Sequence, residues 1–251
     1  MARWLGVVIF SGLIGLLVFV PIPYGSVEPW SIALFQCVVF GLSFLWCIHA
    51  IITGVWLTRT PRLFMPLMVV VAFALVQSLS WSHTTVAGVK IFNTVSADPF
   101  ETWIFALRLA ALIMAALLAV RFTDSAVRLT ILVNTIIGIA VLSAVFGIVR
   151  LTMPPRDGFL LESLRWGNGF AQFINRNHFS FLVEPAIGLL SAMILLLRNK
   201  GHRKLIYVSA LILLWAALIM SRSRGGLLAA SAEITTAAAI FAYGRWSRAK
   251  R

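Results

Sequence analysis

Eight apolar runs, each close to the length of one bilayer crossing, leave this chain few ways to fold; they fall at about residues 5–20, 32–57, 63–79, 103–120, 129–149, 179–197, 205–220 and 226–243. At a rise of about 1.5 Å per residue, a helix needs roughly 20 such residues to cross about 30 Å of hydrocarbon. In lipid only helices and closed barrels satisfy every backbone N–H and C=O group, and these runs lack the alternation of barrel strands. The expected fold is all-α: a polytopic transmembrane helix bundle of about eight spans, one domain over residues 1–251, with an outer loop at 151–178 leading into the sixth span.

Composition agrees. Of the residues, 61% are hydrophobic and 12% charged, and the mean hydropathy is +0.97, which excludes an ordinary soluble domain. A formal charge of +13 would point to nucleic acid in a soluble protein. Here the basic residues sit in short clusters between apolar runs, so topogenic charge accounts for them and no nucleic-acid partner is expected. Cys37 and Cys47 lie inside one apolar run without CxxC spacing, and no His/Asp/Glu spacing predicts a metal. The start, Met1-Ala2-Arg3 followed by an apolar run, has the outline of a signal peptide but is followed by Pro21-Ile22-Pro23-Tyr24 rather than a small-residue cleavage site. An uncleaved first span is expected.

Charge between the runs sets the orientation. With the N-terminus inside, 13 of the 21 basic residues fall on inner segments and both termini are expected to be cytoplasmic. Seven lie outside: Lys90, Arg150, Arg156, Arg165, Arg176, Arg222 and Arg224; the remaining one, Arg108, lies within a span. Six of those seven are arginines after residue 149. Arginine is a permanently charged, bidentate donor suited to phosphate, so clustering it against the topogenic bias points to an anionic ligand. Pairing with Asp157 and Glu162 in the same loop, or contact with lipid headgroups, is the plainer alternative. Trp residues near both sets of span ends fit an aromatic belt.

Two polar knots concentrate the chemistry. The first is Asn175-Arg176-Asn177-His178 at the head of the sixth run, and the second is Ser221-Arg222-Ser223-Arg224-Gly225-Gly226 before the last. On a helix from Asn177, Ser180 and Glu184 continue the polar face into the span. A carboxylate there is costly in hydrocarbon and needs a partner or water. Arg108 is a candidate counter-ion for Glu184 or Glu233, a structural ion pair being the plain reading, and Pro185 loosens the helix beside Glu184. His178 is open between a base, a phosphate ligand and a helix-start hydrogen bonder; His83 has weaker context, and His49 and His202 are assigned no role. Arg222 and Arg224 point to different sides of one helical turn, and Arg224 is favoured as the one facing a site.

These residues carry a resemblance. The stretch Gly169-Phe170-Ala171-Gln172-Phe173-Ile174-Asn175-Arg176-Asn177-His178-Phe179, followed about 45 residues later by Ser223-Arg224-Gly225-Gly226, resembles the O-antigen ligase and polymerase family of bacterial envelopes. Pro21-Ile22-Pro23-Tyr24-Gly25-Ser26-Val27-Glu28-Pro29-Trp30 is similar to a PxPxGSVxPW segment of many members. The resemblance implies an inner-membrane, metal-independent, cofactor-free inverting glycosyltransferase. Such an enzyme takes a glycan from undecaprenyl pyrophosphate on the periplasmic side and joins it to lipid A core or to another glycan. It also implies that Arg224 clamps the pyrophosphate, with a second arginine among Arg150, Arg165 and Arg176.

Family members generally have more spans and a late periplasmic loop bearing the histidine thought to activate the acceptor, whereas this chain stops at Arg251. A second polypeptide completing the site, a truncated chain that only binds the donor, and substitution by His178 or His83 would each account for that difference, and incompleteness is the favoured expectation. The competing class is a non-catalytic membrane component or lipid-linked sugar transporter. Transporters gather charge at the midplane and carry related halves. Here polar residues gather at span ends and no internal repeat is evident, which favours surface chemistry.

Overall fold

The computed structural model describes residues 1–56, 61–86, 89–152, 169–196 and 201–249. Among them are eight α-helices and one hairpin: α1 (Ala2–Phe19), α2 (Pro29–Thr53), α3 (Met65–Ser78), β1 (Ser80–Val86), β2 (Val89–Thr94), α4 (Pro99–Phe122), α5 (Ala126–Leu151), α6 (Arg176–Leu196), α7 (Gly201–Met220) and α8 (Arg224–Ala249). All but α3 are long and apolar enough to cross a membrane. Large apolar side chains such as Phe44, Leu142, Phe181 and Leu228 stand exposed on their flanks, as lipid-facing positions must. The protein is an all-α, multi-pass membrane protein. Ordinary stop and start signals mark its helix ends: Gly54 ends α2 in the left-handed conformation at φ 71°, and Asp98 caps α4 by accepting from Glu101 N at 3.0 Å.

The chain divides into two compact units, the first Met1–Leu16 with Glu28–Leu129, the second Leu17–Val27 with Thr130–Arg251. In the first, Ile9 and Phe10 of α1, Leu42, Trp46 and Ala50 of α2, and Leu118 and Phe122 of α4 form the core. Gly12 permits the close approach of α1 to α2, since a Cβ there would come within 2.7 Å of Leu42 Cδ2.

Arg3 near the start of α1, Thr53 at the end of α2, Arg121 at the end of α4 and Arg128 near the start of α5 all line one cavity. The ends of α2 and α4 therefore lie together. Between α2 and α4, the described residues form the 3-10 turn Pro61–Phe64, α3 and the hairpin. The 14 residues of α3 reach about 21 Å, less than the thickness of the hydrocarbon layer.

No apolar run covers residues 80–102. There β1 and β2 pair antiparallel, with Ser82 opposite Asn93 and Thr84 opposite Ile91. Asn93 Nδ2 donates to Thr84 Oγ1 at 2.7 Å and to Ser82 Oγ at 3.2 Å, so polar side chains on one face of the ribbon hold each other.

The second unit is built on α6, which packs against both α7 and α8. Its core runs from Ala140 and Ala144 of α5 through Phe179, Val183, Ile187 and Leu190 of α6 to Leu214 and Leu218 of α7, all buried. Gly226 of α8 lies where any Cβ would overlap Ser180 of α6, so α8 meets α6 at backbone distance.

Candidate functional site

The two polar knots are joined. Asn175 opens α6 by accepting from Asn177 N at 2.9 Å on its own Oδ1, the usual device for occupying a free N–H at a helix start. Ser223 does the same for α8, its Oγ accepting from Gly226 N at 3.3 Å and its carbonyl accepting from Leu227 N at 3.0 Å. The Ser223 hydroxyl then donates to Asn177 Oδ1 at 2.9 Å, and Ser180 Oγ lies 3.3 Å away while donating to the Asn177 carbonyl at 2.8 Å. Ser180 and Ser223 are almost wholly buried, so this network fixes the starts of α6 and α8 side by side.

Beside the network lies a cavity of about 430 Å3, lined by Arg150 from the end of α5, Gly169, Phe170 and Ala171 from the loop before α6, Arg176 at the start of α6, and Ser221 and Arg222 from the turn between α7 and α8. Three guanidinium-bearing residues line it, and no carboxylate-bearing residue among the described ones does. Arg150 Nη1 donates to the Ala171 carbonyl at 2.6 Å, tying the helix end to the loop.

The loop is shaped by close packing. Phe170 lies so near Gly147 of α5 that no larger residue fits there, and its ring meets Phe179 at 4.6 Å. A Cβ on Gly169 would stand 2.5 Å from the Phe173 carbonyl oxygen. Gln172 Nε2 donates to Ser143 Oγ of α5 at 2.8 Å, both side chains buried. Gly25, at φ 75°, packs on Phe173, where a Cβ would come 2.7 Å from Cδ1. The early segment after the first span thus props the loop that borders the cavity. Ala171 at φ 52° and Arg222 at φ 57° both sit in the left-handed region on the cavity wall, an arrangement costing a non-glycine residue about 1 kcal/mol and sustained only where the surroundings enforce it.

Placement of the sequence-derived residues is therefore mixed. Arg150, Arg176 and Arg222 come together; Asn175 and Asn177 stand in the network that supports them. Arg224, favoured from sequence over Arg222, is exposed at the first residue of α8 and is not part of the cavity lining; the left-handed turn at Arg222 sends the earlier arginine there instead. Arg165 and the paired acids Asp157 and Glu162 lie outside the described residues. His178 is exposed, stacked on Phe181 at 6.5 Å, and does not line the cavity; His83 lies on β1.

Glu184 lies deeper on α6, with Oε1 buried and without a hydrogen-bond partner. Glu233 of α8 occupies the space over Gly188 one turn further along α6, so the groups near Glu184 are the Ser180 hydroxyl and a second carboxyl group, not an arginine. Arg108 makes no ion pair among the described residues, where Arg128–Asp124 is the one such pair. What sequence reasoning missed were the props: Gly147 and Phe170, Gln172 and Ser143, Gly25 and Phe173. A glycine one residue before an aromatic in a loop, and another near the end of an apolar helix, were the available signals.

No family model, no curated protein and no solved structure matches this chain.

Proposed function

We propose that the protein binds an undecaprenyl-pyrophosphate-linked glycan at the periplasmic end of the second unit and serves its transfer to a lipid A core or glycan acceptor, in the manner of the O-antigen ligases and polymerases it resembles. The observation that carries this reading is the cavity in which Arg150, Arg176 and Arg222 converge beside the Asn177–Ser223 network. Pyrophosphate is a polyanion, and its departure from a sugar requires the growing charge to be met by cations already held in place. Guanidinium groups suit it because their charge is permanent and their donors are paired in one plane. Arg150 is anchored by Ala171 at the helix end, while Arg176 and Arg222 belong to backbone that the asparagine and serine caps hold rigid. The chemistry assigned to this chain's own residues is thus seating the donor and stabilising the leaving group. His178, exposed on the first turn of α6, is the candidate for handling the acceptor proton.

The test is binding of an undecaprenyl-pyrophosphate glycan to the protein in nanodiscs. Arg222→Ala and Arg176→Ala should each weaken binding by about tenfold or more, the scale of one lost charge-assisted contact, while Arg224→Ala should bind within about threefold of the parent. Equal binding by all three would remove the reading.

A second reading, a lipid-linked sugar transporter, draws on Glu184 and Glu233 facing each other within the helices. Carboxyl groups within membrane spans mark proton relays in many transporters. It requires movement of the glycan lipid across sealed vesicles, which the transferase reading does not.

A further inference from the structure

A second basic cavity, in the first unit, has no part in the reading above. It measures about 490 Å3 and is lined by Arg3 of α1, His49 of α2, Arg121 of α4 and Arg128 of α5, together with Gly6 and Asp124. Against three arginines it sets one carboxylate, and that carboxylate is engaged by Arg128, whose Nη1 lies 3.2 Å from Asp124 Oδ1. Arg128 Nη1 also donates to the Phe122 carbonyl at 3.0 Å, so this side of its guanidinium is fixed. The other side is turned inward: Nη2 lies 3.8 Å from where a Cβ on Gly6 would stand, and His49 Nε2 lies 3.8 Å from the same point. Gly6 therefore leaves a cradle between a guanidinium and an imidazole.

Topogenic charge explains basic residues near helix ends, but it does not explain buried nitrogens left without partners beside them. His49 is 9% exposed, and its Nδ1 has no hydrogen-bond partner; neither does the buried Arg121 Nε. A buried polar group without a partner costs about 1–3 kcal/mol, and native structures supply one from protein, water or ligand. Three arginines lining a cavity whose one carboxylate is already engaged call for an acceptor-rich occupant.

We propose that this cavity binds a phosphate-bearing anion, held by Arg121, Arg128 and Arg3 with His49 at its wall. Its place at the ends of four helices puts it at headgroup depth, within reach of an anionic phospholipid and of a soluble phosphate alike. The proposal stands on residues separate from the glycan-binding reading and survives its failure.

The experiment uses the full chain in uncharged detergent and in the Arg222→Ala background, which suppresses signal from the other cavity. One arm counts phosphatidylglycerol retained through purification by native mass spectrometry; the other follows thermal stabilisation by inorganic pyrophosphate. Arg121→Gln added to that background should weaken the bound species about tenfold or more. His49→Phe keeps the ring edge against Phe122, 5.4 Å away centroid to centroid, and should weaken it as well, which covers the case in which the arginine variant fails to fold. Loss of retained lipid alone identifies a headgroup site, and loss of pyrophosphate stabilisation alone identifies a soluble ligand; either supports the proposal. Failure of both ligands to bind the background protein, or binding that neither substitution changes, overturns it.

Discussion

At the scale of single residues, Ser223 is the most informative position in the chain. Its hydroxyl occupies the Gly226 N–H at the start of α8 and donates to Asn177 at the start of α6, so one side chain serves a helix cap and an interhelical bond. Loss of a serine cap costs about 1 kcal/mol and loss of a buried hydrogen bond a similar amount, so Ser223→Ala should lower unfolding stability by about 1–2 kcal/mol. Reversible unfolding in mixed micelles would measure it, and an unchanged midpoint would separate the two knots energetically. The neighbouring glycines give a sharper contrast. A side chain on Gly226 must overlap Ser180, whereas one on Gly225 meets nothing within 4 Å. Gly226→Val should therefore destabilise by about 1–3 kcal/mol through overpacking, while Gly225→Ala should be neutral or stabilising, because alanine is the better helix former. The sequence disclosed that two glycines lay at a helix start but not which one touched a neighbour. It likewise could not rank Arg222 against Arg224, since that depends on a left-handed backbone turn at Arg222 itself.

At the scale of elements, run length located the spans because lipid leaves a backbone no alternative; boundaries moved by a few residues, outward where polar residues extend a helix, as Arg176 and Arg224 begin α6 and α8, and inward where α2 stops at Thr53. The hairpin was illegible for the complementary reason: outside lipid a strand competes with loop, and Ser80–Val86 carries no apolar alternation to declare it. The partner of Glu184 was equally hidden, because pairing between helices depends on rotation about their axes. The contact of α6 and α8 answers it with Glu233, lodged over Gly188. Two carboxyl groups on facing helices gain nothing from both being acidic, so Glu233→Gln should leave the melting temperature unchanged or raise it. Gly188→Leu, which must displace Glu233 or separate the helices, should lower it by several degrees, about the effect of 1–3 kcal/mol in a chain of this size. A melting temperature that falls for Glu233→Gln would show instead that the second acid is held by an interaction that needs its charge.

At the scale of the whole molecule, the crossing number decides on which side every loop lies, and α3 decides the crossing number. By length alone α3 fails as a span, and seven crossings would put the two termini on opposite sides. An α3 crossing is the expected outcome, because the cavity shared by Arg3, Thr53, Arg121 and Arg128 brings the end of α2 beside the end of α4. A hydrophobic stretch a few ångströms short of the bilayer is accommodated by local thinning at fractions of a kcal/mol per Å, so a 14-residue helix extended by its 3-10 turn remains admissible. Single cysteines test this directly. With Cys37 and Cys47 replaced by alanine, single cysteines are placed by Ala2→Cys at the start of α1, and at the exposed positions Ala97→Cys between β2 and α4 and Ser125→Cys between α4 and α5. A membrane-impermeant thiol reagent added to intact cells should label position 97 and spare position 125, with position 2 spared as well. Labelling of positions 2 and 97 from one side would mean that α3 turns back without crossing, and the shared cavity at the ends of α2 and α4 could then not form.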